Sequence, residues 1–219
     1  DAVAVMALQI GFQQMIRHHR RFIFRTTTSA DHGMHQAAQR GGRQQVVGDF
    51  DGPVAVAIAI ISVASGGRAL AQADAADAAR GRGESLGALH GVPVTTKINV
   101  DQQGLPTDNG VIPLKDFVAS EDSPVVANLK HAGAIIVGRT NAPAFSMRIF
   151  SDNALHGCTL NPCDRTRTPG GSSGGAGAAT ATGIGAIAHG NDIGGSVRIP
   201  AYCNGVVGLR TGFGRIPSF

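Results

Sequence analysis

The stretch that decides the fold runs from Gly170 to Arg215. It begins Gly170-Gly171-Ser172-Ser173-Gly174-Gly175, continues through an Ala- and Gly-rich segment, and reaches Asn191-Asp192-Ile193-Gly194-Gly195-Ser196. The Ala-rich segment predicts a helix at about residues 174–182, and the apolar residues at about 186–188 predict a strand that returns the chain to its starting point. The two Gly-Ser turns are therefore expected to lie side by side.

Glycine-rich turns of this kind serve several chemistries. A phosphate-binding P-loop would need a Lys-Ser or Lys-Thr pair after the glycines, where this chain has Ala176-Gly177. The run from Gly183 to Ala188 matches a dinucleotide-binding G-x-G-x-x-A pattern, but no acidic residue stands about twenty positions further on. In a chain this rich in Gly that match is expected by chance, so a tight turn between helix and strand is the favoured interpretation.

The segment Gly171-Ser172-Ser173-Gly174-Gly175 also fits the G-x-S-x-G turn that carries the serine of α/β-hydrolases. Those enzymes need an acidic residue and then a His later in the chain. The last histidine of this sequence is His189, sixteen residues after Ser173. The order of residues therefore excludes a Ser–His–Asp triad built on this turn.

Taken together, the residues from Gly170 to Arg215 resemble the signature of the amidase signature family. The segment from Gly91 to Lys97 resembles the lysine segment of the same family, and the resemblance covers roughly residues 62–219. It implies an amide-cleaving triad in which Ser196 is the nucleophile, Lys97 is the general base and Ser172 bridges them. It also implies that the peptide bond before Ser172 is cis.

The chemistry explains why these residue types are needed. Lys97 can take a proton from the nucleophile and return it to the leaving nitrogen only if the amine is neutral, and burial lowers a lysine pKa. A Ser–Lys pair can perform acyl transfer without histidine. We expect the Ser172 and Ser196 hydroxyls at about 2.6–3.2 Å from each other, with the Lys97 amine on the far side of Ser172.

The family resemblance implies further roles around Ser196. The oxyanion hole is expected to consist of four backbone N–H groups: those of Ile193, Gly194, Gly195 and Ser196. Four residues are expected to support the site: Ser173, Asn191, Asp192 and Arg198. Asp192 and Arg198 should pair and hold the loop, and Asn191 stands where the family often has Thr and could hydrogen-bond Ser172.

Upstream of the signature, helix and strand signals alternate. The Ala-rich segment Arg68–Arg80 predicts a helix, and a second helix is predicted from Ser123 to Gly133. The β-branched run that contains Pro93 predicts a strand at the edge or the entrance of a sheet, and residues 134–137 predict a short buried strand. These signals indicate an α/β protein. The resemblance implies the amidase-signature fold, a mixed central β-sheet flanked by helices.

The chain divides near residue 61. Residues 1–61 keep no regular hydrophobic period and stay unassigned. The family resemblance implies that residues 62–219 are the N-terminal half of an amidase-signature catalytic domain. Relatives continue for about as long again after the signature, so the expectation is a fragment whose fold is incomplete and which lacks the C-terminal half.

Composition narrows the choice of partners. The net charge of +4 is spread thinly along the chain, which argues against nucleic acid, and the cluster Arg17-His18-His19-Arg20-Arg21 is interpreted as a solvated surface. The longest apolar run, at residues 54–64, is too short to cross a bilayer. Three cysteines lack metal-ligand spacing and indicate free thiols in the cytoplasm. No cofactor or metal is expected, and a homodimer is left open.

Three hypotheses about function follow. The first is an amidase that hydrolyses a small aliphatic or aryl carboxamide to a carboxylic acid and ammonia or an amine. The second is the A subunit of a glutamyl-tRNA amidotransferase, which the resemblance implies would use the same triad to release ammonia from glutamine. The third is an inactive, truncated fragment.

Overall fold

The computed structural model describes residues 4–8, 60–63 and 66–216, with the side chains of residues 68–216. Its four helices in this part of the chain are α1 (Gly66–Gly81), α2 (Pro124–His131), α3 (Gly174–Ala181) and α4 (Arg198–Asn204). The strands described are β1 (Ala4–Leu8), β2 (Ile60–Val63), β3 (Pro93–Lys97), β4 (Ile135–Thr140), β5 (Asp152–Asn153), β6 (Gly157–Cys158), β7 (Ile187–Asn191) and β8 (Val207–Gly208).

Six of the strands form one mixed sheet in the order β2-β4-β3-β7-β1-β8. Strand β3 is parallel to both of its neighbours, β4 and β7, whereas β1 is antiparallel to β7 and β8. Strands β5 and β6 form a separate two-stranded ribbon. The predicted mixed sheet with flanking helices is confirmed, and β3 lies in its interior.

Strand β3 ends at Lys97 and determines where that side chain lies. All five of its residues are buried, which suits a strand that has a partner on both sides. The strand lies in the interior of the sheet, so the prediction of an edge strand is wrong. The alternative prediction, that the Pro93 segment is the point where the chain enters the sheet, is confirmed. Pro93 is its first residue, where a missing N–H is tolerated, and the Pro93 carbonyl accepts a hydrogen bond from Ala186 N–H at 3.0 Å.

The helices begin and end close to their predicted positions. Helix α1 runs slightly beyond the predicted segment at both ends. Helix α2 begins at Pro124, but Ser123 makes no side-chain capping bond, and the chain turns at Gly133 with φ 88°. Strand β4 is longer than predicted, because residues 138–140 continue to pair with β3.

Helix α3 consists of small residues that let it lie deep in the protein. Its first seven residues are buried. A Cβ atom on Gly177 would stand 2.7 Å from the Asn204 side chain and 3.2 Å from the Pro200 side chain of α4, so a larger residue would separate the two helices. After α3 the chain turns into β7, which confirms the predicted return. The strand continues to Asn191, further than the sequence indicated.

The segment that the sequence left unassigned, residues 1–61, contributes β1 and the first two residues of β2. Strand β1 pairs with β7 from Ala4↔Asn191 to Leu8↔Ile187, and β2 pairs with β4. The cluster Arg17–Arg21 and most of the apolar run at 54–64 lie outside the described residues. None of the helices described is long and apolar enough to span a bilayer.

Candidate active site

Lys97 stands at the end of β3 and is completely buried. Its Nζ lies 2.7 Å from Ser172 Oγ, to which the ammonium form donates, and it donates to Asn191 Oδ1 at 2.7 Å. Both acceptors are neutral, so no carboxylate of the described residues is in contact with the amine. The structure therefore brings Lys97 and Ser172 together as predicted, although 75 residues separate them in sequence.

The surroundings of Lys97 favour its uncharged form. Burial lowers the pKa of the Lys97 amine to about 7, and the negative charge of Asp192 opposes this only in part. His189 accepts a hydrogen bond from the Lys97 backbone N–H at 3.4 Å. Burial, with the charges of Lys97 and Arg139, lowers the pKa of His189 to about 3, so the imidazole is neutral near pH 7. A sizeable fraction of Lys97 is thus available as a base at neutral pH.

Ser172 is held by the glycines and by a serine that sequence reasoning missed. The Gly171–Ser172 peptide bond is cis, as predicted. A Cβ on Gly171 would stand 2.4 Å from the Phe150 nitrogen, so this position has room only for glycine. Ser151 Oγ accepts a hydrogen bond from Gly174 N–H at 2.9 Å and lies 3.2 Å from the Gly170 carbonyl, to which it can donate. Ser151 therefore anchors the turn on both sides of Ser172.

Ser196 lies on the neighbouring turn. Ser173 joins the two turns, since its N–H donates to the Ser196 carbonyl at 3.0 Å and its hydroxyl to the Asn191 carbonyl at 3.5 Å. The Ser172 and Ser196 hydroxyls form no hydrogen bond in this structure, which differs from the predicted direct bond. The Ser196 hydroxyl bonds to no protein group in the described part of the chain and is open to a ligand.

Asp192 organises the loop before α4. Its carboxylate accepts hydrogen bonds from the N–H groups of Gly195, Val197 and Arg198 at 2.7, 3.1 and 3.3 Å. The Arg198 guanidinium adds two contacts of 3.0 Å, which is the predicted pair. Burial opposes ionisation of this carboxyl, but the hydrogen bonds from Arg198 and the backbone outweigh it and hold its pKa well below the ordinary range. Asp192 is thus a charged scaffold.

The predicted oxyanion hole needs one correction. The Gly195 N–H is already used by Asp192 and cannot point at a developing oxyanion. The N–H groups of Ile193, Gly194 and Ser196 donate to no protein acceptor among the described residues, so three of the four predicted donors remain. Gly195 has φ 113°, which favours glycine, and a Cβ there would stand 2.9 Å from the Ile199 side chain.

Asn191 also differs from its prediction, because it bonds Lys97 and not Ser172. The parallel register explains this. Val94 and Thr95 of β3 lie opposite Ile187 and Ala188 of β7. The carboxyl-terminal ends of the two parallel strands are therefore next to each other. The Asn191 side chain therefore reaches the lysine amine directly. This contact depends on strand register, so a local sequence motif does not predict it.

Two further residues had no assigned role. Arg210 donates from Nε to the Asp192 carbonyl at 3.2 Å and lies 3.8 Å from its carboxylate. The sequence indicates a role for Arg210 only through its position at the end of the signature, in Leu209-Arg210. For His189 the sequence shows only that it cannot complete a Ser–His–Asp triad, and it does not predict the contact with Lys97. Among the described residues, no cluster of three or more His, Cys, Asp or Glu side chains could hold a metal ion.

Comparison with known proteins agrees with this geometry. A family model described as Amidase matches residues 57–219. An indoleacetamide hydrolase of Bradyrhizobium diazoefficiens is 62% identical over 151 residues, which are 69% of this chain and 29% of that protein. The A subunit of a glutamyl-tRNA(Gln) amidotransferase from Trichodesmium erythraeum is 42% identical over 152 residues, 69% of this chain and 31% of that protein. The chain thus spans less than a third of either relative.

A solved structure gives the same relationship. A bacterial aryl acylamidase described as an amidase signature enzyme matches with a TM-score of 0.60 at 36% identity, over 65% of this chain and 30% of that one. The family model covers well over half of this chain, and the cis-serine turn and buried lysine lie within the matched region. The chain belongs to the amidase signature family.

Proposed function

We propose that the protein hydrolyses a carboxamide C–N bond, giving a carboxylic acid and ammonia or an amine through an acyl-enzyme on Ser196. The observation that carries the proposal is the Lys97 amine, which is fully buried, has only neutral hydrogen-bond partners among the described residues and lies 2.7 Å from Ser172 Oγ. A buried lysine without a counter-ion in contact is unfavourable as a structural element, but its lowered pKa makes it a base near pH 7.

The first step forms the acyl-enzyme. The neutral Lys97 amine takes the Ser172 proton while Ser172 takes the proton of Ser196, and Ser196 Oγ bonds to the amide carbon. This relay needs the two serine hydroxyls in contact, and such contacts are often loose before substrate binds. The carbonyl oxygen gains negative charge, which the free N–H groups of Ile193, Gly194 and Ser196 are suited to stabilise.

The second step releases the nitrogen product. The Lys97 ammonium returns its proton through Ser172 to the leaving nitrogen as the C–N bond breaks. Water then attacks the acyl carbon while the same relay takes up one of its protons. The bond between that carbon and Ser196 Oγ breaks, the proton returns through Ser172 to Ser196 Oγ, and the carboxylic acid leaves. One lysine can serve both directions because its pKa lies near neutrality.

We further propose an aryl-substituted small amide, such as indole-3-acetamide, as substrate. Support comes from the 62% identity to the indoleacetamide hydrolase. It also comes from exposed apolar side chains on the segments that adjoin the two serine turns: Ile149 and Phe150 belong to the segment that packs on Gly171, and Ile193 carries the first of the open N–H groups. Their exposed fractions of 68%, 43% and 76% leave apolar surface for an aromatic group to cover.

Free Cys158, Cys163 and Cys203 support a reducing, aqueous compartment, and we propose the cytoplasm.

The amidotransferase alternative rests on lower identity, 42%, and predicts a different substrate, glutamine. Both alternatives are separated by one substrate panel of indole-3-acetamide, acetamide and glutamine. We expect indole-3-acetamide to give the highest kcat/KM, whereas ammonia release from glutamine alone would favour the amidotransferase hypothesis.

The nucleophile is tested by Ser196→Ala in the same assay. We expect kcat/KM for the amide to fall by roughly 10⁴-fold or more, because no other group can form the acyl-enzyme. The melting temperature should change little, since the hydroxyl makes no bond to a described protein group. Ser120→Ala, at an exposed serine, is the matched control. Activity of Ser196→Ala within about tenfold of the parent would refute the assignment.

A further inference from the structure

Asn191 is the least explained of the groups that touch Lys97. It ends β7, lies one residue before Asp192, and accepts from Nζ at 2.7 Å. The amine has two protein partners among the described residues, Asn191 Oδ1 and Ser172 Oγ. A neutral amine has two N–H bonds and one lone pair. With one N–H held by Asn191, the lone pair can face the hydroxyl of Ser172.

The charges around Lys97 make the chemical nature of residue 191 important. Within the described part of the chain, Asp192 is the acidic group that acts on the amine, and it lies outside hydrogen-bonding contact. On β7, His189 accepts from the Lys97 backbone N–H and is neutral near pH 7. On β4, Arg139 is buried and donates to backbone carbonyls, among them Ile98 O at 3.0 Å. A carboxylate at position 191 would therefore be the first anion in contact with the amine.

We propose that Asn191 is a positioning residue for the general base: its neutral amide holds one N–H of the Lys97 amine, aims the lone pair at Ser172, and adds no negative charge that would keep the lysine protonated. This inference rests on the proposed function, in which Lys97 acts as the base. It concerns a side chain that acts through its hydrogen bond to the lysine.

The chain offers a direct measurement that does not need turnover. It contains three lysines, Lys97, Lys115 and Lys130. In protein labelled with ¹³C at lysine Cε, three signals are expected, and Lys97→Met identifies the buried one by its loss. Lys115 and Lys130 are exposed and serve as references in the same sample. The titration midpoint of Lys97 can thus be compared between variants beside the pH profile of kcat/KM.

The main variant is Asn191→Asp. We expect the Lys97 midpoint and the acidic limb of kcat/KM to move together to higher pH by at least about one unit, because a contacting carboxylate favours the ammonium. Activity at pH 7 should fall about fivefold or more and recover above pH 9. Asn128→Asp, which adds the same charge on the exposed face of α2, should move neither quantity.

Two neutral variants separate positioning from charge. Asn191→Ala should lower the limiting kcat at high pH about tenfold or more with KM unchanged, and should not move the limb to higher pH. Asn191→Thr keeps a neutral acceptor and should restore kcat to within about tenfold of the parent. These variants decide the proposal even if Asn191→Asp does not fold.

The outcomes distinguish this proposal from the proposed function. An Asn191→Asp protein that is folded and keeps the parental Lys97 midpoint overturns the assignment of Asn191, as does a midpoint that moves without the limb. Full kcat in Asn191→Ala overturns the positioning role. If no amide is hydrolysed by the parent, the proposed function fails, and the Lys97 midpoint in Asn191→Asp still decides whether Asn191 governs the protonation of the lysine.

Discussion

Lys97 and Asp192 are both buried ionisable residues near Ser172 and Ser196, but their hydrogen-bond partners differ in number and in charge. Lys97 has two neutral acceptors and no ion pair in contact among the described residues. Asp192 has three backbone N–H donors, two contacts from Arg198, and Arg210 at 3.8 Å. Burial lowers the pKa of the lysine towards neutrality, whereas the donors around the aspartate keep it ionised.

This difference in partners suits Lys97 to proton transfer and Asp192 to holding the backbone in place. A buried charge that is fully hydrogen-bonded stays in one protonation state and fixes the surrounding backbone. A buried amine without a counter-ion in contact can change its protonation state at neutral pH, which is what proton transfer requires. The two buried ionisable groups, Lys97 and Asp192, thus have distinct roles because of the number and charge of their partners.

Within the comparison of Lys97 with Asp192, the largest effect is expected at Lys97. Lys97→Arg and Lys97→Met should both lower kcat/KM by roughly 10²–10⁴-fold, the range associated with a general base. Arginine keeps its proton at any working pH and cannot act as a base, so it should not rescue activity. In the parent, kcat/KM should rise with pH through a midpoint near 7. An active Lys97→Arg enzyme would show that positive charge, and not a free amine, is needed.

The same position should show the cost of burying the amine. Below pH 7 Lys97 is protonated both folded and unfolded, so its lowered pKa opposes folding fully there, and this opposition declines as pH rises from 7 towards 10.5. Lys97→Met should therefore raise the free energy of unfolding, measured in urea, more at pH 6 than at pH 9, by a difference on the order of 2 kcal/mol. Lys115→Met, at an exposed lysine, is the control. Equal gains at both pH values would contradict the lowered pKa.

Asp192→Asn tests the other side of the comparison. The amide cannot satisfy all the donors that now meet a carboxylate, so we expect a loss of about 2–3 kcal/mol of stability. The variant also removes the negative charge that raises the pKa of Lys97, so the acidic limb of kcat/KM should move to lower pH, opposite to Asn191→Asp. Asp74→Asn, on the exposed face of α1, provides the control for both measurements. A limb that moves to higher pH would refute this account.

The smallest effect is expected at Ser151, a neutral support of the Ser172 turn. Ser151→Ala leaves the Gly174 N–H without its side-chain acceptor, which should lower the free energy of unfolding by about 1–2 kcal/mol. The pH midpoint of activity should stay unchanged, because no charge is altered. Ser85→Ala, at an exposed serine, should leave both quantities at their parental values. A shifted midpoint in Ser151→Ala would mean that the turn also controls the lysine.

The sequence predicted the parts of the site that lie in short motifs. The return of the chain through α3 and β7 was enough to place the two turns next to each other, and the family resemblance of the Gly-Gly-Ser-Ser-Gly-Gly run and the lysine segment implied that Ser172 lies near Lys97. The chain segments approach so closely there that only small residues fit, so the local pattern and the tertiary structure agree.

What the sequence missed depends on register and on competition for donors. The contact of Asn191 with Lys97 follows from the alignment of β3 with β7, and the use of Gly195 N–H by Asp192 follows from the folding of one loop. Ser151 acts from a segment without a recognisable motif. The strand at Ala4–Leu8 was missed because five residues without a regular period carry too little information.

Strand β1 has a consequence for how the protein is made. It lies between β7 and β8, although roughly 180 residues of chain separate it from β7. At a synthesis rate of about 5–20 residues per second, β1 leaves the ribosome roughly ten to forty seconds before its first partner. During that interval its backbone groups can pair with other chains. The yield of native protein should therefore depend on chaperone supply and translation speed more than on the stability of the finished site.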